Sequence, residues 1–75
     1  MKFLEYEKRI LRAMDWDVGS DSAASTNYVI HKSSAGGEPC YHVKPQGEPT
    51  HSIALTDNLG EAIFACGKDK GERYA

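Results

Sequence analysis

Hydrophobic positions recur at spacings of three and four through Phe3, Tyr6, Ile10, Ala13 and Met14, with Leu4 and Leu11 beside the stripe. That pattern predicts an amphipathic helix over residues 3–14. Its opposite side carries Glu5, Lys8, Arg9 and Arg12. Glu5 and Arg9 form a supporting i,i+4 pair, whereas Asp15 at the C-terminal end opposes the helix dipole. A helix this short is marginal alone, so its apolar stripe must dock on a sheet or a partner. If the sheet leaves the stripe unused, Phe3, Tyr6 and Ile10 form a seam between two copies of the chain.

The period changes over residues 27–45, NYVIHKSSAGGEPCYHVKP. Tyr28-Val29-Ile30-His31 and Cys40-Tyr41-His42-Val43 are rich in β-branched and aromatic residues. The Gly36-Gly37 pair lies between them, and together they predict a hairpin. A turn centred on the two glycines sets Ile30 opposite Val43, Lys32 opposite Tyr41 and His31 opposite His42. Tyr28, Ile30, Tyr41 and Val43 then share the core face. Val29, His31, Ser33, Cys40, His42 and Lys44 share the other, and a slip of one residue would mix the two.

Residues 15–26, DWDVGSDSAAST, are small and polar after Val18 and predict a flexible loop. Within it, Trp16-Asp17-Val18 can add a short strand or cover the core edge, and Trp16 is either a lid on the core or an exposed partner anchor. Beyond a turn over residues 46–50 (QGEPT), His51-Ser52-Ile53-Ala54-Leu55 alternates as a third strand with Ile53 and Leu55 facing the core. Asn58, with Glu61 three residues on, reads as the N-cap of a second helix whose face is Leu59, Ala62, Ile63 and Cys66. Gly67 reads as its stop, Lys68 and Lys70 suit its C-terminal end, and Tyr74 in the GERYA tail either frays or lies on the core. The expected fold is α+β in the order α-β-β-β-α, a three-stranded antiparallel sheet with both helices on its apolar face, as one domain over residues 1–75.

A chain of 75 residues buries only about 60% of the surface its unfolded form exposes, which leaves little room for an enclosed active site. With 40% hydrophobic and 27% charged residues the chain is expected to be globular. Its net charge of −2 lacks the basic excess that drives phosphate-backbone binding, so nucleic acid is disfavoured. No apolar run has the length of a signal peptide or approaches the roughly 20 residues of a membrane span, which points to the cytoplasm and to no membrane. Cys40 and Cys66 lack CxxC spacing and are expected as free thiols, with one disulfide as the lesser alternative.

Candidate chemistry concentrates on the outward hairpin face. His31, His42 and Cys40 could meet a zinc ion, with His51 as a fourth ligand, yet no spacing matches a zinc finger or ribbon, and no metal or cofactor is expected. A Cys40 nucleophile activated by His31 or His42 would also need an oxyanion site and a cleft. Gly36-Gly37 joins two strands and is turn chemistry rather than a phosphate loop. Asp15, Asp17 and Asp21 lack the further acids of an EF-hand.

The α-β-β-β-α order resembles that of a double-stranded RNA-binding domain. That resemblance implies a lysine cluster at the start of the second helix, where this chain has Asp57-Asn58-Leu59-Gly60-Glu61; only Lys32, Lys44 and the basic side of the first helix could form a patch. In size, layout and a terminal helix of the form TDNLGEAIFAC, the chain resembles the small proteins encoded by bacteriophages and mobile elements, among them the anti-CRISPR inhibitors. This second resemblance implies a non-enzymatic protein-binding module, a monomer or homodimer, that occludes a larger host protein complex. The expected contact residues are Trp16, Val29, His31, His42 and Lys44, on a surface of about 800 Å² per partner. A metal- or thiol-site protein is the remaining alternative.

Overall fold

The computed structural model describes residues 1–48 and 50–73. The chain runs α1 (Glu5–Ala13), β1 (Asp17–Val18), β2 (Ser22–Ala24), β3 (Tyr28–Ala35), β4 (Glu38–Pro45), β5 (Ala54–Thr56) and α2 (Leu59–Arg73). The strands form one antiparallel meander in sequence order, five strands where the alternation predicts three. The α+β class and the helix at each end are as expected. The two extra strands come from residues 15–26, whose small side chains fit a short edge pair: Asp17 pairs Ala24 and Val18 pairs Ala23, while Ala23 pairs Ile30 on β3.

The β3–β4 hairpin has the register that the glycine turn dictates, from Tyr28 opposite Pro45 to Ala35 opposite Glu38. Gly36 and Gly37 both take positive φ, 61° and 84°, as a two-residue type I′ turn requires. Inward residues Ala23, Tyr28, Ile30, Tyr41 and Val43 form the core with Phe3, Leu11, Trp16, Leu59, Ala62 and Cys66. Helix α1 packs by β1, and α2 packs on β4 and β5.

Three local expectations are corrected. Strand β5 starts at Ala54 rather than His51, and Leu55 pairs His42 on the outward face, 65% exposed, instead of facing the core. Helix α2 continues through Gly67 to Arg73. Its last turns are held by Tyr28 Oη donating to Asp69 Oδ2 (2.6 Å) and by Arg73 reaching both Asp69 and Glu48 (3.4 and 3.0 Å), so tertiary contacts override the glycine. Asn58 does cap α2, its Oδ1 accepting from Glu61 N–H at 3.0 Å; the Glu61 carboxylate accepts from Thr56 Oγ1 instead of completing a box. The reading of Tyr74 falls outside the described residues.

The third correction is the rotation of α1. Its buried line is Phe3, Glu7 and Leu11, at spacings of four, while Tyr6, Ile10 and Met14 are 58%, 42% and 51% exposed. A Schellman turn closes the helix: Asp15 takes φ 66°, its N–H donates to Arg12 O, and Trp16 N–H donates to Leu11 O. The aspartate that opposes the dipole thus serves as the left-handed residue, a conformation aspartate tolerates better than most. The turn swings Trp16 into the core beside Leu11.

Candidate interaction surfaces

Glu7 is inside because it has partners there. Its Oε1 accepts from Lys32 Nζ at 2.6 Å and from Leu4 N–H at 2.8 Å, and its Oε2 accepts from Tyr41 Oη. Glu7 is 0% and Lys32 3% exposed, and the Lys32 ammonium also lies 5.6 Å from the centre of the Tyr41 ring. The register explains the meeting: Lys32 and Tyr41 are directly opposite on the inward face of β3 and β4, under the middle of α1. Among the described residues no buried polar side-chain atom lacks a partner, which is the condition under which a buried ion pair is tolerated.

Burial pushes the Glu7 carboxyl up, but the Leu4 N–H, the Lys32 ammonium and the Tyr41 hydroxyl outweigh it and hold the group below the usual carboxylate range. Burial and the neighbouring carboxylate push the Tyr41 hydroxyl well up. At neutral pH Glu7 is therefore a carboxylate and Tyr41 a neutral phenol. All three side chains of the cluster are closed off from solvent and hold α1 in its rotation rather than offering a reactive group.

Linkage gives the sign of an acid effect. A carboxylate whose folded pKa is depressed stabilises the fold fully above its unfolded value, near 4.3, and loses that contribution as pH falls through the folded value. Urea unfolding followed from pH 7 to pH 2 is expected to show stability falling below about pH 4.3. The slope is shallower in a Glu7→Leu/Lys32→Met variant; equal slopes in the two proteins would contradict the assignment.

The second surface is the sheet face that neither helix covers. Ser22, His31, His42 and Leu55 form one row across four strands, and Ala24, Val29 and Lys44 form the next. His42 Nε2 lies 2.8 Å from Ser52 Oγ, and His31 Nε2 lies 3.5 Å from Asp21 Oδ2. Partial burial, then the charges of Lys44 and His31, hold the His42 pKa below its usual value. Val29, His31, His42 and Lys44 thus do share one face, and Leu55 joins them. The signal for Leu55 was the alternation itself, read one residue out of step. Trp16 does not join them: it is buried at 8% exposure on the opposite side of the sheet, as the lid rather than an exposed anchor.

Cys40 lies opposite Ser33 on the outward face and Cys66 lies in the core on the buried side of α2, so both are free thiols on opposite sides of the sheet. Burial and the nearby Asp69 push the Cys66 thiol up to about 11. Among the described residues no three His, Cys, Asp or Glu side chains converge as metal ligands, and no helix is long and apolar enough to cross a membrane. Helix α2 opens on exposed Asp57, Asn58 and Glu61, an acidic start for a phosphate contact. Compared with protein-family models, curated proteins and solved structures, the chain matches none.

Proposed function

We propose that the chain is a non-enzymatic protein-binding module that acts by covering a surface of a larger protein or complex in the cytoplasm. The observation that supports this reading is the sheet face left bare by both helices. Central strands β3 and β4 hold it rigid, and it presents apolar Val29 and Leu55 around His31, His42 and Lys44. A flat, mixed face of this kind binds without a pocket, by shape and by a few buried anchors. In size and layout the chain fits the small inhibitors of phages and mobile elements, so the partner class is a host defence complex of the CRISPR type, occluded stoichiometrically by a monomer or homodimer.

The test is affinity capture from a nuclease-treated bacterial lysate washed at high salt. One stoichiometric protein is expected to be retained. Leu55→Asp and Val29→Asp, both on the outward face and neutral to the core, are expected to weaken its binding by more than about tenfold. Retention unchanged in both variants, or a column that is empty after nuclease and salt but carries RNA from an untreated lysate at low salt, would overturn the reading.

A further inference from the structure

Three segments meet around a groove of about 300 Å³ on the helix-covered side of the sheet. They are residues 14–16 after α1, residues 25–28 leading into β3, and one face of α2. The volume is at the lower bound of small-molecule sites, so the space suits one ring with a short chain. Its lining is layered. Trp16, Tyr28 and Cys66, each less than a tenth exposed, form the base, with half-buried Ile63 beside them. Two rings and a thiol around one small space suit a flat apolar body. The exposed residues Asp15, Thr26 and Lys70 stand at the rim.

The rim selects the head group that such a body carries. Asp15 and Lys70 are the one acid and the one base that line the groove. They come from separate segments, no ion pair joins them, and neither has another ion partner among the described residues. An uncharged ligand leaves both to water, and a ligand of a single sign meets one attraction and one repulsion. A ligand of both signs meets two attractions. Half-buried Asn27 also lines the groove, and its side-chain amide has no hydrogen bond to the protein among the described residues. An amide donates to an anion and accepts from a cation. The other depression, between residues 51–53 and α2, has neither feature: none of its lining residues is buried, and its Asp69 is already held by Tyr28 and Arg73.

We infer that this groove binds a small zwitterion with a single-ring aromatic body, the chemistry of a free aromatic α-amino acid. The ring lies over Trp16 and Tyr28, the cationic group turns toward Asp15 and the anionic group toward Lys70. The site is on the opposite side of the sheet from the bare face, so it goes beyond the function proposed above and each can fail without the other.

The probe is phenylalanine, titrated into the isotope-labelled full chain while the backbone amides are followed together with the fluorescence of Trp16, the chain's one tryptophan. It is expected to bind with a dissociation constant of about 1 mM or tighter, the range open to a ligand of its size. The amides of Trp16, Asn27, Ile63 and Gly67 are expected to shift. Analogues dissect the head group on the unaltered protein. N-acetyl-phenylalanine, which lacks the cation, and phenylalanine amide, which lacks the anion, are each expected to bind about two- to fivefold more weakly, and the doubly capped N-acetyl amide more weakly still. Asp15→Asn, which keeps a residue suited to the left-handed turn, is expected to erase the difference between phenylalanine and its N-acetyl form. Lys70→Gln is expected to erase the difference between phenylalanine and its amide. Gly67 shares its helix face with Ile63, Cys66 and Lys70, and nothing lies within 4 Å of where its Cβ would stand. Gly67→Leu therefore fills the groove and is expected to abolish binding while leaving the fold intact. The site is overturned by no saturable shift, by shifts confined to the sheet face, or by a folded Gly67→Leu protein that still binds. Equal affinity for the doubly capped form also overturns it, since the groove would then take an aromatic side chain of a polypeptide instead.

Discussion

Replacing Glu7 by alanine is expected to cost about 3–5 kcal/mol of folding free energy, because it leaves the Lys32 ammonium buried without its partner. The loss is large for a chain of 75 residues, since native stability is about 0.05–0.15 kcal/mol per residue. Lys32→Met alone is expected to lose a comparable amount by leaving the carboxylate unpaired. The Glu7→Leu/Lys32→Met double variant is expected to recover most of it, because an apolar pair of similar volume replaces a buried ion pair at little net cost. Urea unfolding of the four proteins, read as a double-mutant cycle, checks this. A Glu7→Ala loss below about 1 kcal/mol would show that the carboxylate is not buried as described. The interest of the cluster lies in what it displaces. Turning Tyr6, Ile10 and Met14 inward would bury more apolar surface, and the three contacts of Glu7 hold the helix away from that rotation.

Trp16→Ala is expected to cost about 3–5 kcal/mol through the cavity it leaves in the core cluster. Trp16 sits at the closing position of the Schellman turn, where its backbone N–H bonds Leu11 O at 2.9 Å and its ring enters the core. The variant is therefore expected to unfold more easily and, while folded, to bind a sheet-face partner as tightly as before. Thermal unfolding and affinity measured on the same samples separate the two effects. A Trp16→Ala protein of unchanged stability with weakened binding would restore the exposed-anchor role to this residue.

The hairpin was legible because each of its signals acts locally. Two glycines fix the turn type, and the turn fixes the register, so the outward placement of Val29, His31, His42 and Lys44 followed from spacing alone. The cap at Asn58 was legible for the same reason. Strand β1 was legible in part, since Trp16-Asp17-Val18 offered a short strand and Asp17–Val18 form it; β2 was not, because Ala23 and Ala24 carry no β signal of their own and pair only where β3 offers an edge. Gly67 failed as a stop because Asp69 and Arg73 are held by Tyr28 and Glu48, residues far away in sequence. The rotation of α1 is the instructive miss. By periodicity the helix should bury its most apolar stripe, and only the meeting of Glu7 with Lys32 and Tyr41 across three elements reverses it. The hairpin register does carry a trace of this, since alternation puts Lys32 inward opposite Tyr41, where a lysine calls for a buried acid. Glu7, one turn from both Phe3 and Leu11, is the acid that α1 supplies.

The measurement that tests the central claim most directly is side-chain NMR of the labelled protein, free and bound to the partner recovered by capture. The account predicts that the Val29 and Leu55 methyl signals and the His31 and His42 ring signals move on binding, while the ring signals of buried Trp16 and Tyr41 stay in place. Unmoved Val29 and Leu55 methyls in a saturated complex would contradict it, and would take the binding function off the bare face of the sheet.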